Sequence, residues 1–304
     1  MAPYHVLVIF RCRYRDYQET AGSDVLAFRP SQMHIGCLNL KSFIRWAGSK
    51  KQSLWKLREY WSDSCARYIE PFAGSASLFF DIEPRSALLG DINRHLTSTM
   101  RELQKDPTRV VECLRRLPRG APHYYRIRSE PGGEFSPAER AARFIYLNRY
   151  CFNGLYRTNT QGNFNVPYGP PKSGREIDEE AIFSAARLLR NAEIVTSDFV
   201  MTLEEARRGD FVYMDPPYVV ARRRIFSEYG VGSFSETDLE RLGRALKQLD
   251  NVGAKFVVTY ADSSEARRLF SGWRTTRFRA KRNISGFLSG RRSAFEIIAT
   301  NMSL

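Results

Sequence analysis

The stretch DFVYMDPPY, residues 210–218, decides the fold of this chain. Its centre, FVYM, is a compact apolar run with the length of a buried strand, and an acid and two prolines end it. A strand that is apolar on both faces is typical of a parallel sheet covered by helices on both sides. Ligands of open α/β sheets bind at the carboxyl ends of such strands. The stretch therefore predicts an α/β fold with a ligand site at residues 215–218.

The rest of the chain repeats the alternation of strands and helices. Apolar or β-branched runs predict four further strands: RYIEPF (67–72), SALLGDI (86–92), AEIVTSDF (192–199) and KFVVTY (255–260). SETDLERLGRALKQL (235–249) predicts an amphipathic helix capped by Ser235, with Asp238 three residues on. TTRFRAKRN (275–283) and AFEIIATN (294–301) predict an antiparallel hairpin at one edge. The pattern therefore predicts a mostly parallel sheet covered on both faces.

The connection between the second and third strands is too long for a simple crossover. Residues 95–177 are helical in pattern and basic, and they end in NRYCFNGLYRTNTQGNFNVPYG (148–169). We predict a small insert there, a main domain formed by residues 39–94 and 178–304, and an N-terminal extension, residues 1–38, to which the sequence assigns no role.

Composition restricts the class of protein and its partners. The net charge of +14 favours an anionic partner such as nucleic acid, although a basic bias of the whole proteome would give the same number. Five cysteines without CxxC spacing and four scattered histidines argue against a disulfide framework and a metal site. No apolar run has the length of a membrane span. We therefore expect a reduced, metal-free, cytoplasmic protein that does not enter a membrane; the family resemblance given below further implies a bacterial or phage origin.

The DPPY motif has a chemical interpretation beyond a turn. Pro216 and Pro217 restrict the backbone and have no N–H, so carbonyl groups remain as acceptors beside the carboxylate of Asp215. These acceptors suit an exocyclic amino group of a base, and Tyr218 can stack on the base face. A bare Asp-Pro-Pro is more often a strand-ending turn. The tyrosine and the preceding buried strand favour the functional interpretation.

Two further segments predict a nucleotide-like cofactor. EPFAGSAS (70–77) is a glycine-bearing turn between a strand and a helix, and Asp91 ends the next strand 17 residues beyond Gly74. An acid near that spacing typically binds ribose hydroxyls. In FIRWAGSKKQ (43–52), Trp46 can cover a cationic or aromatic face and Lys50 can meet a carboxylate. Ordinary turns and a buried tryptophan are the alternatives for these segments.

Together these motifs resemble the Dam-type, alpha-group adenine-specific DNA methyltransferases. The similarity runs from Lys41 to the C-terminus through WAGSK, EPFAGS, GDIN, YLNRYCFNGLYRTNTQGNFNVPYG, SDF and DPPY, in that order. The family departs from this chain at two small residues, having glycine where this chain has Ser49 and Ala76. The resemblance implies a Rossmann-like catalytic domain that uses S-adenosyl-L-methionine, and a small helical and β-hairpin insert that recognises duplex DNA.

The resemblance also implies which residues form the site. The expected catalytic residues are Asp215, Pro216, Pro217 and Tyr218. The expected cofactor-binding residues are Trp46, Lys50, Phe72, Gly74, Asp91, Asp198, Phe199 and Asp215. The expected DNA-binding residues are Arg45, Asn153, Leu155, Arg157 and Arg222. Basic runs at 222–224 and around 281–292 can contact phosphates beside a flipped nucleotide.

Several functions stay open at this stage. The favoured one is transfer of a methyl group to the adenine amino group at GATC or another site containing GAT, since Arg157 can read guanine in the major groove. A methylase-like DNA-binding protein without activity is one alternative, and an enzyme acting on RNA adenine or on the cytosine amino group is another. Methylation of a cytosine ring carbon is disfavoured because no Pro-Cys pair occurs. We further expect a monomer, with a cognate restriction endonuclease as a possible partner.

Overall fold

The structure is a computed structural model that describes residues 42–46, 48–130, 134–159, 161–169, 177–218, 234–281 and 293–303. The predicted extension, residues 1–38, lies outside the described residues, as do Arg222 and most of the predicted basic runs. All described residues belong to the unit formed by residues 39–304.

A seven-stranded sheet forms the centre of the described chain. Its strands are β1 (Tyr68–Glu70), β2 (Ala87–Asp91), β3 (Ala192–Thr196), β4 (Phe211–Met214), β5 (Lys255–Ala261), β6 (Arg274–Lys281) and β7 (Ser293–Thr300). Their order across the sheet is β3-β2-β1-β4-β5-β7-β6, with β1 to β5 parallel and β7 antiparallel to both of its neighbours. The predicted strands, the edge hairpin and the α/β class are all confirmed.

The helices lie on both faces of this sheet. They are α1 (Leu54–Leu57), α2 (Ser77–Ile82), α3 (Arg94–Lys105), α4 (Pro107–Arg115), α5 (Ala121–Ser129), α6 (Pro137–Tyr150), α7 (Glu179–Leu189), α8 (Phe199–Glu204), α9 (Glu236–Val252) and α10 (Ser264–Leu269). The predicted helix is α9, and Ser235 and Asp238 form its capping box as expected. Short 3₁₀ turns occur at Arg58–Tyr60 and Phe152–Gly154.

Strand β4 shows why the sequence specifies two covered faces. Phe211 and Tyr213 point into the apolar cluster on one face, which contains residues of α2 to α7. Val212 and Met214 point into the cluster on the other face, with residues of α8, α9 and α10. All four residues are almost inaccessible to solvent. Alternate side chains of a strand point to opposite faces, so an unbroken apolar run requires apolar partners on both.

The predicted insert contains the helices α3 to α6 and the segment that follows them. Helix α3 packs against β2 and β3 as well as against α6, so it joins the sheet to the helical layer. Residues 151–168 form a loop closed by an antiparallel bridge between Cys151 and Tyr168, and a second bridge joins Thr158 to Phe164. The domain boundaries proposed for the insert, 95 and 177, stay a prediction.

The strand order places a crevice between β1 and β4. The chain runs outward from β1 through β2 to β3, then returns to the other side of β1 at β4 and continues to β5. At such a reversal the loops that follow the two central strands diverge and leave a crevice at their carboxyl ends. The EPFAGSAS and DPPY segments follow β1 and β4 and therefore meet there.

Candidate active site

A cavity of about 630 Å³ occupies this crevice. Its size is within the range of ~300–1,000 Å³ that is usual for small-molecule sites. Predicted site residues line it from five separate segments: Trp46, Lys50, Phe72, Gly74, Asp91, Asp198, Phe199, Asp215, Pro216, Pro217 and Tyr218. The structure thus brings every predicted catalytic and cofactor residue to one cavity, although the roles assigned to them stay predictions.

The turn after β1 has room only for glycine at position 74. Gly74 has φ of +49°, and a Cβ there would lie 2.8 Å from Cδ1 of Trp46. Its N–H donates to Asp91 Oδ2 at 2.9 Å, and the N–H of Asn93 donates to Asp91 Oδ1 at 2.8 Å. Burial raises the pKa of Asp91, and the two N–H donors partly offset that shift. The carboxylate is therefore held at the end of β2 with its orientation set by the backbone.

Trp46 lies between this turn and the insert. Its ring stacks on Tyr156, with centroids 5.6 Å apart and an interplanar angle of 23°. Burial raises the pKa of Tyr156 to about 12, so the phenol is neutral at physiological pH. Sequence reasoning did not select Tyr156, because nothing in the local pattern distinguishes a cavity-lining tyrosine from any other in the insert.

Three phenylalanines that line the cavity pack against one another as an aromatic wall. Phe72 stacks on Phe199 with centroids 5.1 Å apart, and Phe234 meets the Phe72 ring edge-on at 6.0 Å. Phe234 was not predicted. It directly precedes the cap of α9, and an apolar residue there with Leu239 four residues into the helix is a recognisable signature of a hydrophobic staple.

Asp198 caps a helix and also lines the cavity. Its Oδ1 accepts the N–H of Val200 at 2.9 Å, which caps α8, and it also pairs with Arg241 at 2.5 Å. About a third of the side chain is exposed, and it lines the cavity. The carboxylate is therefore oriented by the protein and can still accept a hydrogen bond from a ligand.

Within the described ranges, the catalytic carboxylate predicted in DPPY is bound on one of its two oxygens. Lys50 Nζ lies 2.7 Å from Asp215 Oδ1, and the hydroxyl of Thr259 donates to the same oxygen at 2.9 Å. Within the described part of the chain no group donates to Oδ2. Burial opposes the positive charge of Lys50, but the carboxylates of Asp215 and Glu296 outweigh it and raise the lysine pKa. The arrangement keeps a permanent cation on Oδ1 and leaves Oδ2 available.

This position of Lys50 differs from the predicted one. The sequence suggested contact with a cofactor carboxylate, whereas the structure places the ammonium group against the protein's own Asp215. The segment that carries Lys50 and the DPPY turn are 165 residues apart in the chain, so the pairing is decided by tertiary structure. The cofactor role of Lys50 stays a prediction.

Tyr218 is anchored by an acid that the sequence did not identify. Its hydroxyl donates to Glu296 Oε1 at 3.1 Å and accepts from Lys50 Nζ at 3.2 Å. Glu296 is 5% exposed and its Oε2 lies 3.8 Å from Lys50 Nζ. Burial raises the pKa of Tyr218, which keeps the hydroxyl protonated. The single acid within the otherwise apolar strand AFEIIATN is the local signal by which Glu296 could have been found.

A second buried acid lies at the end of β1. Glu70 is 3% exposed, and the hydroxyl of Tyr68 donates to its Oε2 at 2.9 Å. Burial raises the pKa of Glu70 well above its usual range, although the tyrosine hydrogen bond opposes this. Glu70 also lines the cavity, so a proton on this group changes the charge of the site.

The residues predicted to read DNA lie on the insert and on the segment beside it. Asn153 is exposed and adopts φ of +55°, whereas Leu155 and Arg157 are half-buried. The guanidinium Nε of Arg157 donates to Asn165 Oδ1 at 2.7 Å, which orients the side chain. Arg45 packs against Gly154, where a Cβ would lie 2.5 Å from the Cβ of Arg45. Their contact with DNA stays a prediction.

None of the helices within the described ranges has the length and apolar character needed to cross a membrane.

Comparison with known proteins identifies the family. The D12 class N6 adenine-specific DNA methyltransferase model matches residues 46–284. Type II methyltransferase M1.LlaDCHI of Lactococcus lactis subsp. cremoris is 34% identical over 273 residues, covering 87% of this chain and 96% of that protein. Type II methyltransferase M.MjaIII of Methanocaldococcus jannaschii is 31% identical, covering 82% and 94%. The DNA adenine methylase of Serratia marcescens is 30% identical, covering 85% and 97%. The resemblance seen in the motifs is confirmed, and the chain belongs to the D12 class of N6 adenine-specific DNA methyltransferases.

Proposed function

We propose that this adenine-specific DNA methyltransferase uses S-adenosylmethionine as methyl donor and acts on duplex DNA at GATC or another site that contains GAT. The observation that carries the proposal is the carboxylate of Asp215, which is bound on Oδ1 and open on Oδ2 inside the cavity. Because the cavity is lined from within one chain, we also propose that the enzyme acts as a monomer.

The cavity fits the proposed donor. S-adenosylmethionine, when bound, supplies a methyl group on a positively charged sulfur. Asp91, fixed by two backbone N–H groups, is placed to accept ribose hydroxyls. Phe72 and Phe199 provide an apolar wall for an aromatic ring. The absence of a Cβ at Gly74 lets the ligand approach the backbone of the turn.

The charge of the cavity also favours a cationic donor. Among the described residues, the acids that line it are Glu70, Asp91, Asp198, Asp215 and Asp238. Lys50 pairs with Asp215, and Arg241 pairs with Asp198 and Asp238. A sulfonium is therefore attracted in a setting where water is partly excluded. Transfer of the methyl group removes that positive charge, so the same electrostatics favour the donor over the spent product.

Asp215 and Pro216 supply the acceptors for the adenine amino group. The nitrogen lone pair of this group is delocalised into the ring and is a poor nucleophile. Hydrogen bonds from its two N–H groups to Asp215 Oδ2 and to the carbonyl of Pro216 favour a pyramidal nitrogen with a localised lone pair. Tyr218, held by Glu296, is placed to stack on the flipped base.

The proposed specificity rests on the insert. Asn153, Leu155 and Arg157 occur in the segment that resembles readers of GAT, and Arg157 is oriented by Asn165. Arginine reads guanine through N7 and O6 in the major groove. Two relatives are named type II methyltransferases, which supports the proposal of a restriction endonuclease as partner.

The test is expression in a host without DNA methylation, followed by sequencing that detects methyladenine. We expect modified adenine at one fixed motif, none with Asp215→Ala, and wild-type modification with Asp262→Ala, which changes an acid that does not line the cavity. Asp215→Ala should still bind the duplex in a gel-shift assay. Wild-type methylation by Asp215→Ala would refute the mechanism. Soluble wild-type protein that binds S-adenosylmethionine but modifies no DNA would instead support an inactive protein or one that acts on RNA.

A further inference from the structure

Asn148, near the end of α6, forms two hydrogen bonds with the backbone of one distant residue. The N–H of Arg45 donates to Asn148 Oδ1 at 2.8 Å, and Asn148 Nδ2 donates to the carbonyl of Arg45 at 2.7 Å. The amide thus pairs with Arg45 as a neighbouring strand would. Asn148 is 1% exposed, and a buried amide is unfavourable unless it is hydrogen-bonded. Only one alignment of the Arg45 segment against α6 satisfies both bonds.

Two further contacts attach the same segment to the insert. The side chain of Arg45 packs against Gly154, so closely that no Cβ fits between them. The ring of Trp46 stacks on Tyr156. Gly154 and Tyr156 alternate in sequence with the proposed DNA-reading residues 153, 155 and 157. A movement of this loop therefore changes the contacts that Gly154 and Tyr156 make with Arg45 and Trp46.

The other end of this segment contacts the catalytic carboxylate. A turn closed by the Ser49 N–H and the Trp46 carbonyl, at 3.3 Å, leads to Lys50. Lys50 Nζ then lies 2.7 Å from Asp215 Oδ1. Residues 45, 46 and 48–50, which we call the coupling segment, therefore contact both Asp215 and the loop of residues 153–157, which we call the DNA-reading loop.

We infer that Asn148 is a positioning residue that couples DNA reading to methyl transfer by holding the coupling segment in register with the insert. The inference rests on the proposed function. It assigns to Asn148 a part in discrimination between DNA sites. When the DNA-reading loop is bound to the correct site, the coupling segment holds Lys50 against Asp215; when the loop is bound to a wrong site, it does not. Asn148 itself does not touch the reacting atoms.

The chain offers a matched control for this amide. Asn301 also uses its amide to bind backbone groups: its Oδ1 accepts the N–H of Phe256 at 2.9 Å, and its Nδ2 donates to the carbonyl of Ala254 at 2.9 Å and to Asp250 Oδ1 at 2.9 Å. These bonds lie at the start of β5, opposite the catalytic end of the sheet. Asn301→Ala therefore removes the same kind of interaction without touching the insert or the cavity.

The experiment measures single-turnover methylation on a GATC duplex and on a duplex in which the first base pair of that site is exchanged. For Asn148→Ala we expect the GATC rate to fall at least about tenfold, a loss of ~1.4 kcal/mol of transition-state stabilisation, with the exchanged-site rate within about threefold of wild type. The discrimination ratio, which is the GATC rate divided by the exchanged-site rate, falls accordingly. Asn301→Ala should keep the wild-type ratio, and gel-shift affinity for the GATC duplex should be retained by both variants. Equal loss of both rates, or an unchanged ratio, would overturn the inference.

Asn148→Asp provides a second test, which distinguishes a coupling role of Asn148 from a merely structural one. A neutral carboxyl group can accept from the Arg45 N–H and donate to its carbonyl, as the amide does, whereas a carboxylate can only accept. Burial disfavours the charged form and raises the pKa of such a group, so the neutral carboxyl gains as pH falls and the carboxylate gains as pH rises. Relative to wild type at each pH, discrimination should approach normal as pH falls and decrease as pH rises. A ratio independent of pH would contradict the inference.

The wild-type enzyme separates this inference from the proposed function. If wild type modifies no adenine in either duplex, the proposed function fails. If wild type prefers one site and Asn148→Ala keeps that preference, only the coupling role of Asn148 fails.

Discussion

Replacement of Gly74 by alanine is the sharpest perturbation of the cofactor site. The residue has φ of +49°, a conformation that costs an L-amino acid about 1–2 kcal/mol. The added Cβ would also lie 2.8 Å from Cδ1 and 2.9 Å from Nε1 of Trp46. Movement of the Trp46 ring away from the added Cβ is restricted, because Tyr156 stacks on that ring. Overpacking of this kind costs about 1–3 kcal/mol, so we expect unfolding free energy to fall by ~2–5 kcal/mol.

Part of that energy should appear as weaker cofactor binding. Relief of the clash moves Trp46 or the turn whose N–H holds Asp91, and both line the cavity. We therefore expect the dissociation constant for S-adenosylmethionine, measured by isothermal titration calorimetry, to rise at least about tenfold, which corresponds to ~1.4 kcal/mol. Urea unfolding of the same variant measures the loss of stability.

Gly209→Ala is the matched control. Gly209 also has a positive φ, +89°, but a Cβ there would meet only the Cβ of Ala66, at an ordinary 3.7 Å. It should lose about 1–2 kcal/mol of stability from backbone strain and keep wild-type cofactor affinity. A Gly74→Ala variant that binds S-adenosylmethionine as tightly as wild type would refute the assignment of this turn to the cofactor site.

Three further predictions follow from the described contacts. Glu70→Gln keeps an acceptor for Tyr68 and removes an acid whose pKa burial raises. The acid takes up a proton on folding, so its contribution to stability is lost as pH rises from about 4.5 through the folded pKa, and over that range the melting temperature of the variant should gain on that of wild type. Glu296→Gln leaves Lys50 with less negative charge around it, so Lys50 should polarise Asp215 more, weaken its acceptor strength and lower kcat by about 3–10-fold. Arg157→Ala should relax the methylated motif, with discrimination at the guanine falling by ~1–3 kcal/mol.

Each of the three has a clear contrary result. A melting-temperature difference that does not change with pH would show that Glu70 is ionised in both folded and unfolded states. Wild-type kcat in Glu296→Gln, with Tyr218 still anchored, would remove the charge argument. A methylated motif unchanged in Arg157→Ala, seen by the same sequencing, would mean that another residue reads the guanine.

Local sequence patterns predicted the elements because they report burial and backbone geometry. FVYM is apolar at successive positions, and the structure buries Val212 and Phe211 against opposite faces of the sheet. Ser235 and Asp238 predicted the start of α9, because the hydrogen bonds of a capping box involve only residues within one four-residue segment. A ligand site at the carboxyl end of β4 was also predicted, since ligands of open α/β sheets bind there, whereas the strand order that forms the crevice came from the structure.

Pairings between distant segments were not predictable in the same way. Lys50 was assigned to a cofactor, yet it contacts Asp215, and Glu296 reaches Tyr218 from β7, 78 residues further along the chain. Tyr156 and Asn148 lie among many polar and aromatic residues of the insert with no local feature to distinguish them. Their partners, Trp46 and Arg45, become neighbours only after α6 packs against the start of the described chain.

The sequence by itself determined the class of fold, the family and the segments that form the site, because strand period, helix caps and the DPPY and EPFAGS motifs act over a few residues. Tertiary structure alone decided the charge arrangement in the cavity: which oxygen of Asp215 is bound, which acid anchors Tyr218, and which amide joins the insert to the catalytic end of the sheet. The physical reason is that hydrogen bonds and ion pairs depend on distances of about 3 Å between atoms, and separation along the chain carries no information about them.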